Sequence, residues 1–119
     1  MKKTLIIGAS TDPSRYAYKA AHMLTRFNHQ IVNIGIKRGE VAGVEIEKQG
    51  QTHPDIDTIT LYIGPALQPQ YYHYIIDTKP KRVIFNPGTE NYEFEKLLDQ
   101  HNIEPMRACT LVLLSTGQY

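Results

Sequence analysis

The chain has 119 residues, enough for one domain with a real core and too few for two of ordinary size. Its 13 Lys and Arg against 12 Asp and Glu leave a formal charge of +1, so no broad field exists to hold a polyanion such as DNA. One cysteine excludes an intrachain disulfide, and no apolar stretch has the length of a membrane span or a secretory leader; a single cytoplasmic domain over residues 1–119 is expected.

Thr4–Ile7 is a short apolar run rich in β-branched residues that stops at Gly8, the pattern of a buried strand. A helix from Tyr16 to about Asn28 follows, with Ala17, Ala20, Ala21, Leu24 and Phe27 on one stripe. Gln30–Ile34 reads as the second strand and ends in a glycine-punctuated loop, Gly35 to Glu40, with Lys37 and Arg38 at its centre. A short extra strand falls within Val41–Lys48, and Gln49–Pro54 is polar and turn-like. Thr58–Ile63 is the third main strand, stopped by Gly64-Pro65. A helix over about Pro69–Thr78 has Pro69 placed for its first turn and buries Tyr72, Ile75 and Ile76. Lys81–Phe85 is the fourth strand, and Asn86-Pro87-Gly88-Thr89 turns into a helix over Asn91–His101 that buries Phe94, Leu97 and Leu98. A fifth strand lies near Glu104–Arg107, and periodicity leaves the apolar tail Thr110–Leu114 open between strand and helix.

Strands alternating with helices predict an α/β protein: a Rossmann-like, three-layer α/β/α domain on a mostly parallel sheet of about five strands. In such sheets ligands bind at the carboxyl ends of the strands, beside the first strand. The Gly8–Arg15, Gly35–Gly39, Gly64-Pro65 and Asn86–Thr89 loops all belong to that edge. A strand, a turn of small residues and a helix N-terminus make a phosphate-binding corner, because free backbone N–H groups and the helix dipole meet there. Gly8, Ala9, Ser10 and Thr11 supply the corner, and Arg15 adds a cation.

The nucleotide class follows from what the motifs lack. An NAD site expects G-x-G-x-x-G and an acid closing the second strand. Here Ser10 replaces the second glycine, and Lys37 and Arg38 stand where that acid is wanted. Cations there suit a ribose carrying its own phosphate, which brings roughly −1.5 to −2 charges. NADP and coenzyme A both fit, and a P-loop NTPase is excluded because G-x-x-x-x-G-K-[ST] is absent. The histidines, His22, His29, His53, His73 and His101, show no metal-ligand spacing, and no catalytic residue is nominated. Cys109 reads as a small buried hydrophobe. Tyr71, Tyr72 and Tyr74 crowd one helix, as core packing or as the face of a homodimer.

Gly8-Ala9-Ser10 with Asp12-Pro13-Ser14-Arg15, the loop Lys37 to Gly43, Gly64-Pro65, the turn Asn86 to Asn91 and Cys109 together carry a resemblance. In their order and spacing the chain resembles the small stand-alone CoA-binding proteins, similar to the N-terminal Rossmann domain of the succinyl-CoA synthetase alpha subunit. The resemblance implies that Gly8, Ala9, Ser10 and Arg15 hold CoA phosphates, that Lys37 lies beside the adenosine, and that Gly64 and Pro65 line the adenine side. Apart from the resemblance, the turn Asn86–Thr89 either shapes the crevice floor, through Asn86 and Gly88, or only caps the following helix through Thr89. Where the family more often has Val-Asn-Pro-Lys, this chain has Ile34-Gly35-Ile36-Lys37, which keeps the lysine. The resemblance implies binding of CoA or an acyl-CoA without ligase chemistry, for which the phosphorylatable histidine and the nucleotide-grasp domain have no room. An NADP(H)-binding redox sensor or small reductase, and a ligand-free dimeric interaction module, are the alternatives on this fold.

Overall fold

The computed structural model describes residues 1–119. Its centre is β1 (Thr4–Ile7), whose four residues are all buried, as a strand covered on both faces requires. Helix α1 (Tyr16–Arg26) crosses over to β2 (Ile31–Ile34), which pairs with β1 in parallel. On the other side β1 pairs with β5 (Thr58–Leu61), then come β6 (Arg82–Phe85) and β7 (Glu104–Arg107), all parallel. Ile7 is level with Ile34 and Leu61, so the loops leaving these strands start from one edge.

The sheet has seven strands rather than five, in the order β3-β4-β2-β1-β5-β6-β7. The added pair is a hairpin, β3 (Glu40–Val41) and β4 (Val44–Glu47), the only antiparallel pairing. Its turn residues Ala42 and Gly43 both take positive φ, 54° and 79°, the geometry that matches strand twist in a two-residue hairpin. The sequence spacing anticipates one strand here because Ala42 does not announce a left-handed turn.

Side-chain alternation splits β1 between two cores. Leu5 and Ile7 join Ile59, Leu61, Val83 and Phe85 beneath α2 (Tyr72–Thr78) and α3 (Tyr92–Gln100), which contribute Ile75, Phe94 and Leu98. Ile6 faces the other way, against Ala17, Ala21 and Leu24 of α1 and Leu114 of α4 (Thr110–Ser115). The apolar tail is therefore helical. Its start is fixed by Thr110, whose hydroxyl meets Thr60 at 2.8 Å and whose N–H donates to the Asn86 side chain at 2.9 Å.

Four side chains depart from the expected stripes: Phe27, Tyr72, Ile76 and Leu97, the last only partly buried beside Phe94 and Leu98. Asn28 is left-handed and closes α1 early, which leaves Phe27 43% exposed at the C-cap. Two 3-10 turns, Pro65–Leu67 and Pro69–Tyr71, precede α2 and reset its phase. Tyr71 is consequently buried with Ile75, while Tyr72 and Ile76 pack only partly. Tyr72 stacks on Phe94 at 4.1 Å, and Tyr74 donates to the Gln51 carbonyl, both contacts within the chain. No helix is long and apolar enough to cross a membrane.

Candidate nucleotide-binding site

Gly8 leaves β1 at φ +95°, a conformation only glycine adopts without strain. A Cβ there would sit 3.0 Å from the Tyr62 carbonyl and the Ile63 side chain, so the loops after β1 and β5 touch at this point. At Gly35 a Cβ would lie 2.7 Å from the Ala9 carbonyl oxygen, which presses the loop after β2 onto the same corner. Gly8 is therefore demanded by conformation and by space, and Gly35 by space alone.

The corner is ordered by its own side chains. The Ser10 hydroxyl accepts the Asp12 N–H at 3.0 Å, and Asp12 accepts both the N–H and the hydroxyl of Ser14. These bonds from Ser14 hold the Asp12 carboxyl below the usual carboxylate range. Helix α1 then begins at Arg15 with no side-chain cap and no acid in its first turn. Its opening N–H groups are therefore unclaimed by any capping side chain, and Tyr16 and Ala17, the first two helical residues, line the cleft. Substituting a capping acid at this position is what a purely structural turn would favour.

The cleft measures about 900 Å³. Gly8, Ala9, Ser10, Thr11 and Arg15 line it from the β1 loop, Lys37 from the β2 loop, and Gly64 and Gly88 from the far wall. Pro65 and Asn86 do not line it. Pro65 is exposed at the start of a 3-10 turn, and Asn86 is turned inward with 3% of its surface exposed. The Asn86 amide donates to Thr60 Oγ1 at 2.7 Å and to the Leu61 carbonyl at 2.8 Å, and its oxygen accepts from Thr110. Its place is beneath the floor. Nor does Thr89 cap α3: its hydroxyl returns to the Asn86 carbonyl, and Asn91 accepts the Phe94 N–H instead.

Sequence reasoning missed Gln68. It is fully buried, donates to the carbonyls of Ile63 and Thr89 at 3.0 and 2.8 Å, and accepts from Asn91 at 2.9 Å. One amide thus ties together the β5 and β6 loops that form the far wall. A lone glutamine between two prolines carries no periodic signal that would reveal this. Tyr71 and Gln70 also line the far wall, brought there by the same 3-10 turns. Cys109, half-buried at the N-cap of α4, does not line the cleft.

Tyr62 lines the cleft with its ring and buries its hydroxyl, which finds no hydrogen-bond partner although Thr60 and Thr110 lie close by. Burial pushes this phenol up to about 12 from an ordinary value of 10.0. Because the fold favours the neutral form, its contribution is present below pH 10 and is lost as pH rises toward 12, at about 1.4 kcal/mol per unit. Tyr62→Phe is expected to lie within about 1 kcal/mol of the wild type at pH 8 and to flatten the decline above pH 10. Urea midpoints of both proteins at pH 8 and pH 11 check this, and parallel declines would refute it.

A parallel sheet with its loops gathered on the carboxyl edge, an uncapped helix N-terminus and a glycine corner define a Rossmann-like nucleotide-binding domain. Residues 2–115 match the family described as CoA binding domain, and the chain belongs to that family. Among solved structures it is similar to an uncharacterized protein at 50% identity, with 100% of this chain and 98% of that one covered and a TM-score of 0.98. A hypothetical protein from Pyrococcus horikoshii is 26% identical over 97% of this chain and 82% of its own, with a TM-score of 0.88. A Thermus thermophilus protein, 20% identical over 99% and 90%, shares the fold at a TM-score of 0.88. No curated protein matches.

Proposed function

We propose that this protein binds coenzyme A, free or acylated, as a carrier or sensor with no chemistry of its own. The observation that carries the reading is the meeting of the uncapped α1 N-terminus with Arg15 and Lys37 around one cleft. In this reading the pyrophosphate lies on the Gly8–Arg15 corner, where dipole and N–H groups each favour an anion by roughly 0.3–1 kcal/mol. Lys37 takes the phosphate on the adenosine ribose. The pantetheine arm then crosses β1 toward the β5 and β6 loops. Gly64 stands on the opposite side of β1 from Lys37, which fits the pantetheine path better than the adenine side. Membership of the CoA-binding family supports the ligand class, and the cleft volume falls within the roughly 300–1,000 Å³ of small-molecule sites.

A thermal-shift titration against CoA, acetyl-CoA, NADPH, NADH and ATP tests the reading. At 100 times its dissociation constant a ligand adds about 2.7 kcal/mol, on the order of 10 °C for a domain of this size. CoA or acetyl-CoA is expected to give that shift. A shift with NADPH and not with CoA would replace the reading by the redox one, since Lys37 serves a 2′-phosphate equally well. No shift with any of them would favour a ligand-free interaction module.

A further inference from the structure

The cleft is electrically lopsided. Its charged lining residues are Asp12, Arg15 and Lys37, all on the loops after β1 and β2. The wall built by the β5 and β6 loops carries no Lys or Arg; it presents Ile63, Leu67 and Tyr71 with the uncharged Gln70 and Thr89. At the lip of that wall the Gly88 N–H, the kind of donor that would otherwise receive an anion, already donates to the Glu90 carboxylate at 2.9 Å. The cation of β7, Arg107, is held by Glu95 at 3.0 Å. An anion arriving there would find an occupied donor and an acid, with Arg107 already paired to Glu95.

Resting on the CoA reading above, we infer that the site selects the uncharged end of its ligand: free CoA or CoA bearing a neutral acyl group, and not CoA whose acyl group ends in a carboxylate. Glu90 is the discriminating residue. Its carboxylate is exposed just outside the cleft lining and is bonded to the turn that the thiol end reaches in this reading, so a second carboxylate there meets like-charge repulsion. The phosphates are indifferent to this, because they lie on the cationic half.

Calorimetric titration of the whole protein with CoA, acetyl-CoA and succinyl-CoA tests the inference, with Glu90→Gln as the variant. The glutamine oxygen still accepts the Gly88 N–H, so the change removes charge and keeps the turn. In the wild type acetyl-CoA is expected to bind within about threefold of CoA and succinyl-CoA about tenfold more weakly than acetyl-CoA. Glu90→Gln should narrow that gap to about threefold or less, while Asp99→Asn, the same charge change at the far end of α3, leaves it unchanged. Succinyl-CoA binding the wild type as well as acetyl-CoA does would overturn the inference, and so would a gap that survives in Glu90→Gln. Failure of all three ligands to bind would instead sink the CoA reading and this inference with it.

Discussion

Asn86→Ala is expected to destabilise the free protein by about 3 kcal/mol, although Asn86 stands in a turn that sequence reasoning assigns to the ligand. The residue makes three side-chain hydrogen bonds in a buried setting, two donated to β5 and one accepted from the first N–H of α4. Truncation leaves the Leu61 carbonyl and the Thr110 N–H without these partners, and an unmet buried group costs roughly 1–3 kcal/mol. It also unpins α4, whose Leu114 covers the core beside α1. The variant should therefore show a lowered urea midpoint and earlier proteolysis at the C-terminal helix. A ligand-contact role alone predicts the opposite pattern, with stability intact and affinity lost. Chemical denaturation of the apo protein decides between them.

The second large effect belongs to the cations. Arg15→Ala with Lys37→Ala is expected to weaken CoA binding about 100-fold and to leave the apo protein within about 0.5 kcal/mol of the wild type. Each side chain offers a charge-assisted bond to a phosphate, worth roughly 1.5 kcal/mol or about tenfold when its partner sits at a half-open surface. Neither holds the fold. The Arg15 side chain is 73% exposed and its ion pair with Asp12 is stretched to 4.0 Å, while Lys37 is exposed on its loop. Isothermal titration with the double variant checks the affinity, and a change below threefold would remove both residues from the site.

Much of this architecture is legible in the residues. The β-branched runs at Thr4–Ile7, Thr58–Leu61 and Arg82–Phe85 lie buried on both faces, and continuous apolarity is the signature of such strands. The alanine stripe of α1 likewise declares a helix lying close on a sheet. Eight of the ten nominated residues fall on one cleft because strand–loop punctuation by Gly8, Gly35, Gly64 and Gly88 is local, and the parallel topology then carries every loop to one edge. What stayed hidden is what depends on partners distant in sequence. Asn86 looks like a turn residue until Thr60 and Thr110 arrive around it, and Gln68 looks solvated until two carbonyls close on it. Tyr71 and Tyr72 exchange places because two proline-started 3-10 turns shift the helical phase, which periodicity alone does not register.

In the proposed function Lys37 reads a phosphate on the adenosine ribose of coenzyme A. Titrating wild type and Lys37→Ala with CoA and with 3′-dephospho-CoA tests it most directly. The wild type is expected to prefer CoA by about tenfold, and Lys37→Ala to abolish the preference while still binding dephospho-CoA as the wild type does. Equal affinity of the wild type for both ligands would contradict it.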